Sequence, residues 1–143
     1  MTAQLENLGQ QLTISLIHEE VSQQQFQRLI TLNLNDIAVV AAFSYTGLNQ
    51  RFFSQLLRNA NTTPIGKFLF ANPSKAKRLD NMQIKQAKLQ QIQTIKLQEM
   101  LLASGYTPEQ LFWQRSSIFS YQDEQLHLQE ILLPELAKFI ISS

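Results

Sequence analysis

Alternating polarity in residues 26–34 constrains the fold of this 143-residue chain more than any other feature. Apolar and polar side chains follow one another with the two-residue period of a β-strand that has one buried face. The next two residues, Asn35 and Asp36, suit a hairpin turn, and residues 37–45 are almost entirely apolar, as in a central strand. With another strand predicted at 12–19, we expect the chain to form a three-stranded antiparallel meander.

Later segments predict a second hairpin and several helices. Residues 114–134 are typical of two strands closed by a polar turn, and residues 49–59 space their large apolar side chains as a helix does. Residues 74–103 are rich in Gln and Lys and contain no Gly or Pro, so we expect a long helical insertion there. The expected fold is α+β: an antiparallel β-sheet of five or six strands with helices covering one side, in a single domain spanning residues 1–143.

The composition is that of an ordinary globular protein. It is 44% hydrophobic and 16% charged, with a formal net charge of +1, which gives no reason to expect nucleic acid or a membrane as a partner. The chain has no cysteine, and its first residues lack the basic start and apolar run of a signal peptide, so we expect a cytoplasmic protein. Its two histidines, His18 and His127, are far apart in sequence, so we expect no metal site.

The predicted 74–103 helix carries six basic residues and two acidic ones. A nucleic-acid-binding helix would explain them, but the charges are dispersed and no aromatic residue lies among them, which favours a solvated helix face. The blurred apolar stripe of this helix would allow it to pack on its own domain or on a second copy of the chain. We therefore expect a monomer, or a homo-oligomer formed through this helix.

Two charged residues, Arg28 and Glu130, each interrupt an apolar row on a predicted strand. A charge on a buried face is costly unless it is paired or bound. The two residues could pair with each other, or one of the rows could face solvent. Alternatively they could line a closed pocket, where the arginine receives a carboxylate and the glutamate accepts a hydroxyl. Arg115 is a third candidate, for which a surface role is at least as plausible, and His18 and His127 are interpreted as ordinary strand residues.

Three stretches in this order resemble the chorismate pyruvate-lyase family. The stretch FQRLITLNLNDIAVVAAFS (26–44) resembles the arginine-bearing hairpin of the family, and TPIGKFLF (63–70) resembles its TPLGRYLF-type motif. The stretch FWQRSSIF (112–119), running into LHLQEILLP (126–134), resembles its WGRRS strand and the strand after it. The resemblance covers most of the chain and implies an antiparallel sheet around a buried ligand cavity.

The resemblance also implies a reaction: elimination of pyruvate from chorismate to give 4-hydroxybenzoate, as in ubiquinone biosynthesis, without a cofactor or metal. In the family's pattern, Arg28 falls on the arginine that binds a ligand carboxylate, and Glu130 falls on the glutamate at the hydroxyl end of the ring. These two are therefore the predicted catalytic residues. The backbone of Ile65 and of Met1 would contribute to the substrate pocket.

Phe43 stands where the family has a second arginine, and it is included among the predicted substrate-binding residues. Chorismate carries two carboxylates, so the loss of that arginine would remove a charge-assisted contact worth ~1.5–3 kcal/mol. An alternative function is a non-catalytic domain of the same fold that binds an aromatic acid, like the effector-sensing domains of some bacterial repressors. A third is an interaction protein that uses the 74–103 helix.

Overall fold

The structure is a computed structural model in which the described residues are 11–22, 24–60, 77–79 and 82–142. The sheet strands are β1 (Leu12–Val21), β2 (Gln25–Leu34), β3 (Ile37–Gly47), β4 (Lys77–Arg78), β5 (Gln83–Lys88), β6 (Leu111–Tyr121) and β7 (Glu124–Leu132). The helices are α1 (Arg51–Ala60), α2 (Ile95–Ala103) and α3 (Glu135–Ser142), with a short 3₁₀ helix at Leu89–Gln91.

The strands form one antiparallel sheet in the order β1-β2-β3-β7-β6-β4, and β5 also pairs with β6. Within the described part of the chain, six strands have six residues or more, and β4 has two. The predicted α+β fold class is confirmed, as are the meander of the first three strands and the second hairpin. None of the described helices has the length and apolar character needed to span a membrane.

The turn between β2 and β3 forms as its residue types predict. Asn35 and Asp36 both have positive φ, 49° and 65°, as a two-residue hairpin turn with the twist of the flanking strands requires. Asn and Asp are the side-chain-bearing residues that adopt this left-handed conformation most readily. A register shift follows at Leu32, which pairs with Val40 while the neighbouring Asn33 pairs with Ala38. The shift sets the faces of the sheet, as described below.

Residues directly opposite each other in an antiparallel pair share a face of the sheet. We call one side the Arg28 face; its members include Arg28, Ser44, Leu128 and Ser117, which lie opposite one another across β2, β3, β7 and β6. We call the other side the Phe43 face; its members include Leu29, Phe43, Gln129 and Ser116. The two faces carry different helices and, as the next subsection shows, different chemistry.

Helices α1 and α3 pack on the Arg28 face, at opposite ends of it. Phe53 and Leu57 of α1 contact a cluster around Phe26, and Leu136 of α3 contacts a cluster around Leu32. On the Phe43 face, α2 and the 3₁₀ helix form a third apolar cluster with the sheet, whose buried members are Leu29, Ala41, Phe43, Leu89, Ile92, Leu97, Leu101, Phe112, Ile131 and Leu133. The helices expected on one side of the sheet are thus α1 and α3 on the Arg28 face, and α2 covers part of the Phe43 face as well.

The prediction of a long helix over 74–103 is wrong. Residues 83–88 form the strand β5, paired along its length with β6, and the α-helix begins only at Ile95. A lack of Gly and Pro permits a helix but does not impose one, and hydrogen bonding to the free edge of β6 outweighs the modest helix preference of Gln and Lys. A homo-oligomer formed through a continuous 74–103 helix is therefore excluded. Lys88 and Lys96 form ion pairs with Glu109 and Glu99.

Candidate functional site

A band of polar side chains crosses the Arg28 face between the two apolar clusters there. We define this polar band as Arg28, Ser44, Arg115, Ser117 and Glu130. Arg28 on β2 lies opposite Ser44 on β3, while Glu130 on β7 lies opposite Arg115 on β6. The α1 cluster lies at one end of the band and the α3 cluster at the other. Four of its five members are buried, so the fold removes a set of polar and charged groups from water.

Arg28 is the largest of the fully buried side chains, with 1% of its surface exposed. Burial lowers its pKa from the usual value, because desolvation disfavours the guanidinium cation, and the negative charge of Glu19 opposes this shift. Glu19 is its cross-strand neighbour on β1. The apolar strand row in which the sequence places Arg28 is therefore buried at this position. The side chain places a positive charge inside the protein, where an anion would be attracted more strongly than in water.

Glu130 is 4% exposed and forms an ion pair with Arg115. Its Oε1 accepts a hydrogen bond from Nε of Arg115 at 2.8 Å and lies 2.7 Å from Nη2 of the same guanidinium. Arg115 is 17% exposed in its side chain, so it connects a buried carboxylate to the edge of the site. The sequence left open that Glu130 pairs directly with Arg28. In the structure, Glu130 pairs with Arg115 instead. The surface role considered for Arg115 does not hold.

Small side chains separate Arg28 from Glu130. Strand β3 lies between their strands, and on this face it contributes Ala42, opposite Glu130, and Ser44, opposite Arg28. Ser117, on β6, is 3% exposed, and its Oγ makes no hydrogen bond within the described structure. A buried hydroxyl without a partner costs about 1–3 kcal/mol, so this oxygen is a position where a ligand group could bind. Neither Ser44 nor Ser117 is predicted as a site residue from the sequence, because a small polar side chain in a strand carries no signal of its own.

Phe43 is not part of this band, and its assignment to the same pocket as Arg28 and Glu130 is wrong. It lies on the opposite face, 4% exposed, in the apolar cluster formed with α2. The register shift explains this. In a hairpin without the shift, the pairing that starts with Leu34 opposite Ile37 would continue along both strands and place Arg28 opposite Phe43. The extra residue in β3 instead pairs Phe43 with Leu29.

The other two predicted contacts, Met1 and Ile65, lie outside the described residues. The structure therefore places Arg28 and Glu130 on one face of the sheet, together with Arg115, Ser44 and Ser117, and places Phe43 on the other face. The roles of these residues in binding or catalysis stay predictions.

Helix α1 is attached to the second hairpin through Glu124. Its carboxylate accepts hydrogen bonds from the backbone N–H of Phe52, at 2.9 Å and 3.2 Å to its two oxygens, and from that of Phe53 at 3.3 Å. These N–H groups belong to the first turn of α1, where backbone donors lack intrahelical partners and a negative charge is favourable. The amide oxygen of Gln50 accepts a further bond from the backbone N–H of Gln125, at 2.8 Å. Together these bonds position α1 at one end of the polar band.

Comparison with known proteins establishes the fold and no closer relationship. No family model matches the chain, and no curated protein matches it. Among similar solved structures is that of the possible transcriptional regulator YydK from Bacillus subtilis subsp. subtilis str. 168, with a TM-score of 0.62 and 11% sequence identity. The match covers 89% of this chain and 60% of that one, so the present chain spans less than two thirds of the length of that chain.

These findings correct the expected family. The chain has an α+β fold of the chorismate lyase-like kind, shared with a possible transcriptional regulator, and identification as a divergent chorismate pyruvate-lyase is wrong. The motifs that carried the resemblance include strand residues of this fold, such as those around Arg28 and Glu130. An arginine or glutamate at the same place in a fold does not by itself carry an activity.

Proposed function

We propose that this chain is a small-molecule-binding domain that holds an organic acid in the polar band, and that it serves as the sensing part of a regulatory protein. The observation that carries the proposal is the burial of Arg28 and of Ser117 on one face of the sheet, with Ser44 and Leu128 between them in register. Among the described residues, none forms a hydrogen bond with the Ser117 hydroxyl. The similarity to a possible transcriptional regulator supports a regulatory rather than a metabolic role.

The chemistry of the polar band favours a ligand with a carboxylate at one end and a hydroxyl at the other. A carboxylate beside Arg28 would form charge-assisted hydrogen bonds, and the hydroxyls of Ser44 and Ser117 would add neutral ones. Both contacts of Arg115 fall on Oε1 of Glu130, so a ligand hydroxyl would donate to Oε2. Ala42 and the apolar ends of the band suit a ring between the two polar ends. A hydroxybenzoate has this distribution of groups.

Elimination of pyruvate from chorismate stays a prediction, and two observations weigh against it. Phe43 stands on the far side of the sheet, and Arg115 is already paired with Glu130. The described part of the polar band contains two arginines, and one of them, Arg115, is held by Glu130, so the band has no further arginine for a second ligand carboxylate. A monocarboxylate matches this charge distribution better than chorismate does.

The test compares 4-hydroxybenzoate, benzoate and chorismate by thermal shift and by calorimetric titration. A ligand that binds only the folded state raises the melting temperature. We expect 4-hydroxybenzoate to bind more tightly than benzoate, since benzoate lacks the group that Glu130 would accept. Arg28→Gln should abolish binding, whereas Arg51→Gln, which changes an exposed arginine of α1, should not.

Two outcomes would argue against the proposal. Equal affinity of the wild type and Arg28→Gln for every acid would remove Arg28 from the site. Release of pyruvate from chorismate, abolished by Arg28→Gln, would show a lyase rather than a sensing domain, so the pyruvate released is measured in the same samples.

A further inference from the structure

A cavity lies over the Phe43 face of the sheet, and among the described members of the polar band Ser117 alone borders it. Its volume is about 280 Å³. It is bordered by Gln83 at the start of β5, Thr94 just before α2, Ser116 on β6 and Gln129 on β7. Gln83 lies opposite Ser116, and Ser116 opposite Gln129, so these three side chains start from one face of three adjacent strands.

The amide of Gln129 is held in place by two hydrogen bonds. Its Oε1 accepts from Oγ1 of Thr94 at 2.6 Å, and its Nε2 donates to Oε1 of the buried Gln114 at 2.8 Å. A carboxamide oxygen has two lone pairs and its nitrogen has two hydrogens. The oxygen and the nitrogen of the Gln129 amide can therefore each form one further hydrogen bond, and the amide is already oriented before a ligand binds. This lowers the entropy cost of binding.

Two aromatic rings form a flat part of the wall. Tyr45 and His127 both border the cavity, and their rings stack with centroids 4.7 Å apart and planes 7° apart. Burial lowers the pKa of His127 below its usual value, so the imidazole is neutral at pH 7. A stacked pair of this kind offers a π surface to a planar ligand.

The cavity is uncharged, in contrast to the polar band. Of the described residues that border it, none carries a formal charge at pH 7: its polar members are glutamines, serines, Thr94, Tyr45 and neutral His127. An ionic ligand would lose its hydration there without gaining an opposite charge. A neutral ligand with both a hydrogen-bond donor and an acceptor has a much smaller desolvation cost.

We propose that this cavity binds a neutral, planar heterocycle with a hydrogen-bond donor beside an acceptor, such as a nucleobase, stacked near Tyr45 and His127 and paired edge-on with the Gln129 amide. A glutamine amide pairs with the N6 and N7 edge of adenine through two bonds, and aromatic side chains stack on unpaired bases. The volume accommodates one such ring but little more, which fits a small ligand rather than a nucleic-acid strand.

The test uses adenine as the probe and two variants of one strand. Gln83 and Gln86 both lie on β5 and are both exposed, but Gln83 lies opposite Ser116 and borders the cavity, whereas Gln86 lies opposite Trp113, toward the Arg28 face. Calorimetry should show saturable adenine binding, weakened about fivefold by Gln83→Leu and unchanged by Gln86→Leu. Gln129→Leu should weaken it more, about tenfold or beyond, since it removes both bonds of the amide.

Arg28→Gln separates this inference from the proposed function, because it should leave adenine binding intact while abolishing acid binding. The inference is overturned if adenine shows no saturable binding at millimolar concentration, or if Gln83→Leu and Gln129→Leu, with melting temperatures confirming that they fold, bind it as the wild type does. Adenine binding that is lost in Arg28→Gln and kept in Gln129→Leu would place the ligand in the polar band instead, and would overturn it too.

Discussion

Arg115 and Glu130 lie directly opposite each other on β6 and β7 and form a two-contact ion pair, at 2.7 Å and 2.8 Å to one carboxylate oxygen. The carboxylate is buried and the guanidinium reaches the edge of the fold. In the proposed site, this pair would form the hydroxyl-accepting end of the polar band, and Arg28 would form the other end.

Removing one member of the pair should cost more than removing both. Arg115→Ala leaves Glu130 charged and buried without its partner, so we expect a loss of about 3 kcal/mol in the free energy of unfolding, measured by urea denaturation. The double variant Arg115→Met/Glu130→Leu should recover most of that loss, because hydrophobic side chains of similar size remove the buried charge. If Arg115→Ala is no less stable than Arg51→Ala, which changes an exposed arginine, the pair contributes nothing.

Glu124 should stabilise the chain by capping α1. Glu124→Ala removes the acceptor of three hydrogen bonds from the first turn of the helix, and we expect about 1 kcal/mol lower stability. The control is Glu99→Ala, which changes an exposed glutamate paired with Lys96 and should cost a few tenths of a kcal/mol. Equal losses in the two variants would contradict the capping role.

Phe43 should matter for packing and not for ligand binding. Phe43→Leu shrinks a side chain in the cluster against α2 and should lower stability by about 1–2 kcal/mol. Because Phe43 lies on the other face from Arg28, affinity for 4-hydroxybenzoate should stay within about twofold of the wild type. A large loss of affinity without a loss of stability would return Phe43 to the acid site.

His127 should contribute a pH dependence to stability. Burial lowers its pKa in the folded state below the unfolded value of about 6.5, so the unfolded chain takes up the proton first as the pH falls. Stability is therefore lost as the pH drops from the unfolded pKa through the lower folded one. His127→Gln should show a smaller loss between pH 7 and pH 5 than the wild type, in urea melts at each pH. A pH profile unchanged by His127→Gln would contradict this assignment.

The sequence was sufficient to predict the elements whose pattern is local. Alternation located β2 and the buried position of Arg28, the leucine row of β7 located Glu130, and the Asn35-Asp36 pair located the first turn. These features depend on residues adjacent in sequence, where the two-residue period and turn preferences are decisive. That is why the fold class, and the position of both charges within apolar strand rows, follow from the sequence alone.

Features that depend on pairing between distant segments could not be predicted. The partner of Glu130 depends on the register of β6 against β7, and the face of Phe43 depends on one extra residue in β3. Strand β5 carries mostly exposed polar side chains and no alternation, so it is a strand only because β6 has an edge to pair with. The composition of residues 83–88 indicated a helix, since nothing within these residues shows that a free edge of β6 lies beside them.

Ser117→Ala tests the account most directly, because the variant removes a buried hydroxyl that has no partner in the described structure and that a bound acid would use. Without ligand, we expect the variant to gain about 1 kcal/mol of stability, or a few degrees in melting temperature, since the cost of the unpaired hydroxyl disappears. With saturating 4-hydroxybenzoate, the rise in melting temperature should be smaller than in the wild type. A variant that is less stable than the wild type without ligand, and equally stabilised by the acid, would show that Ser117 serves packing and that the polar band is not the binding site.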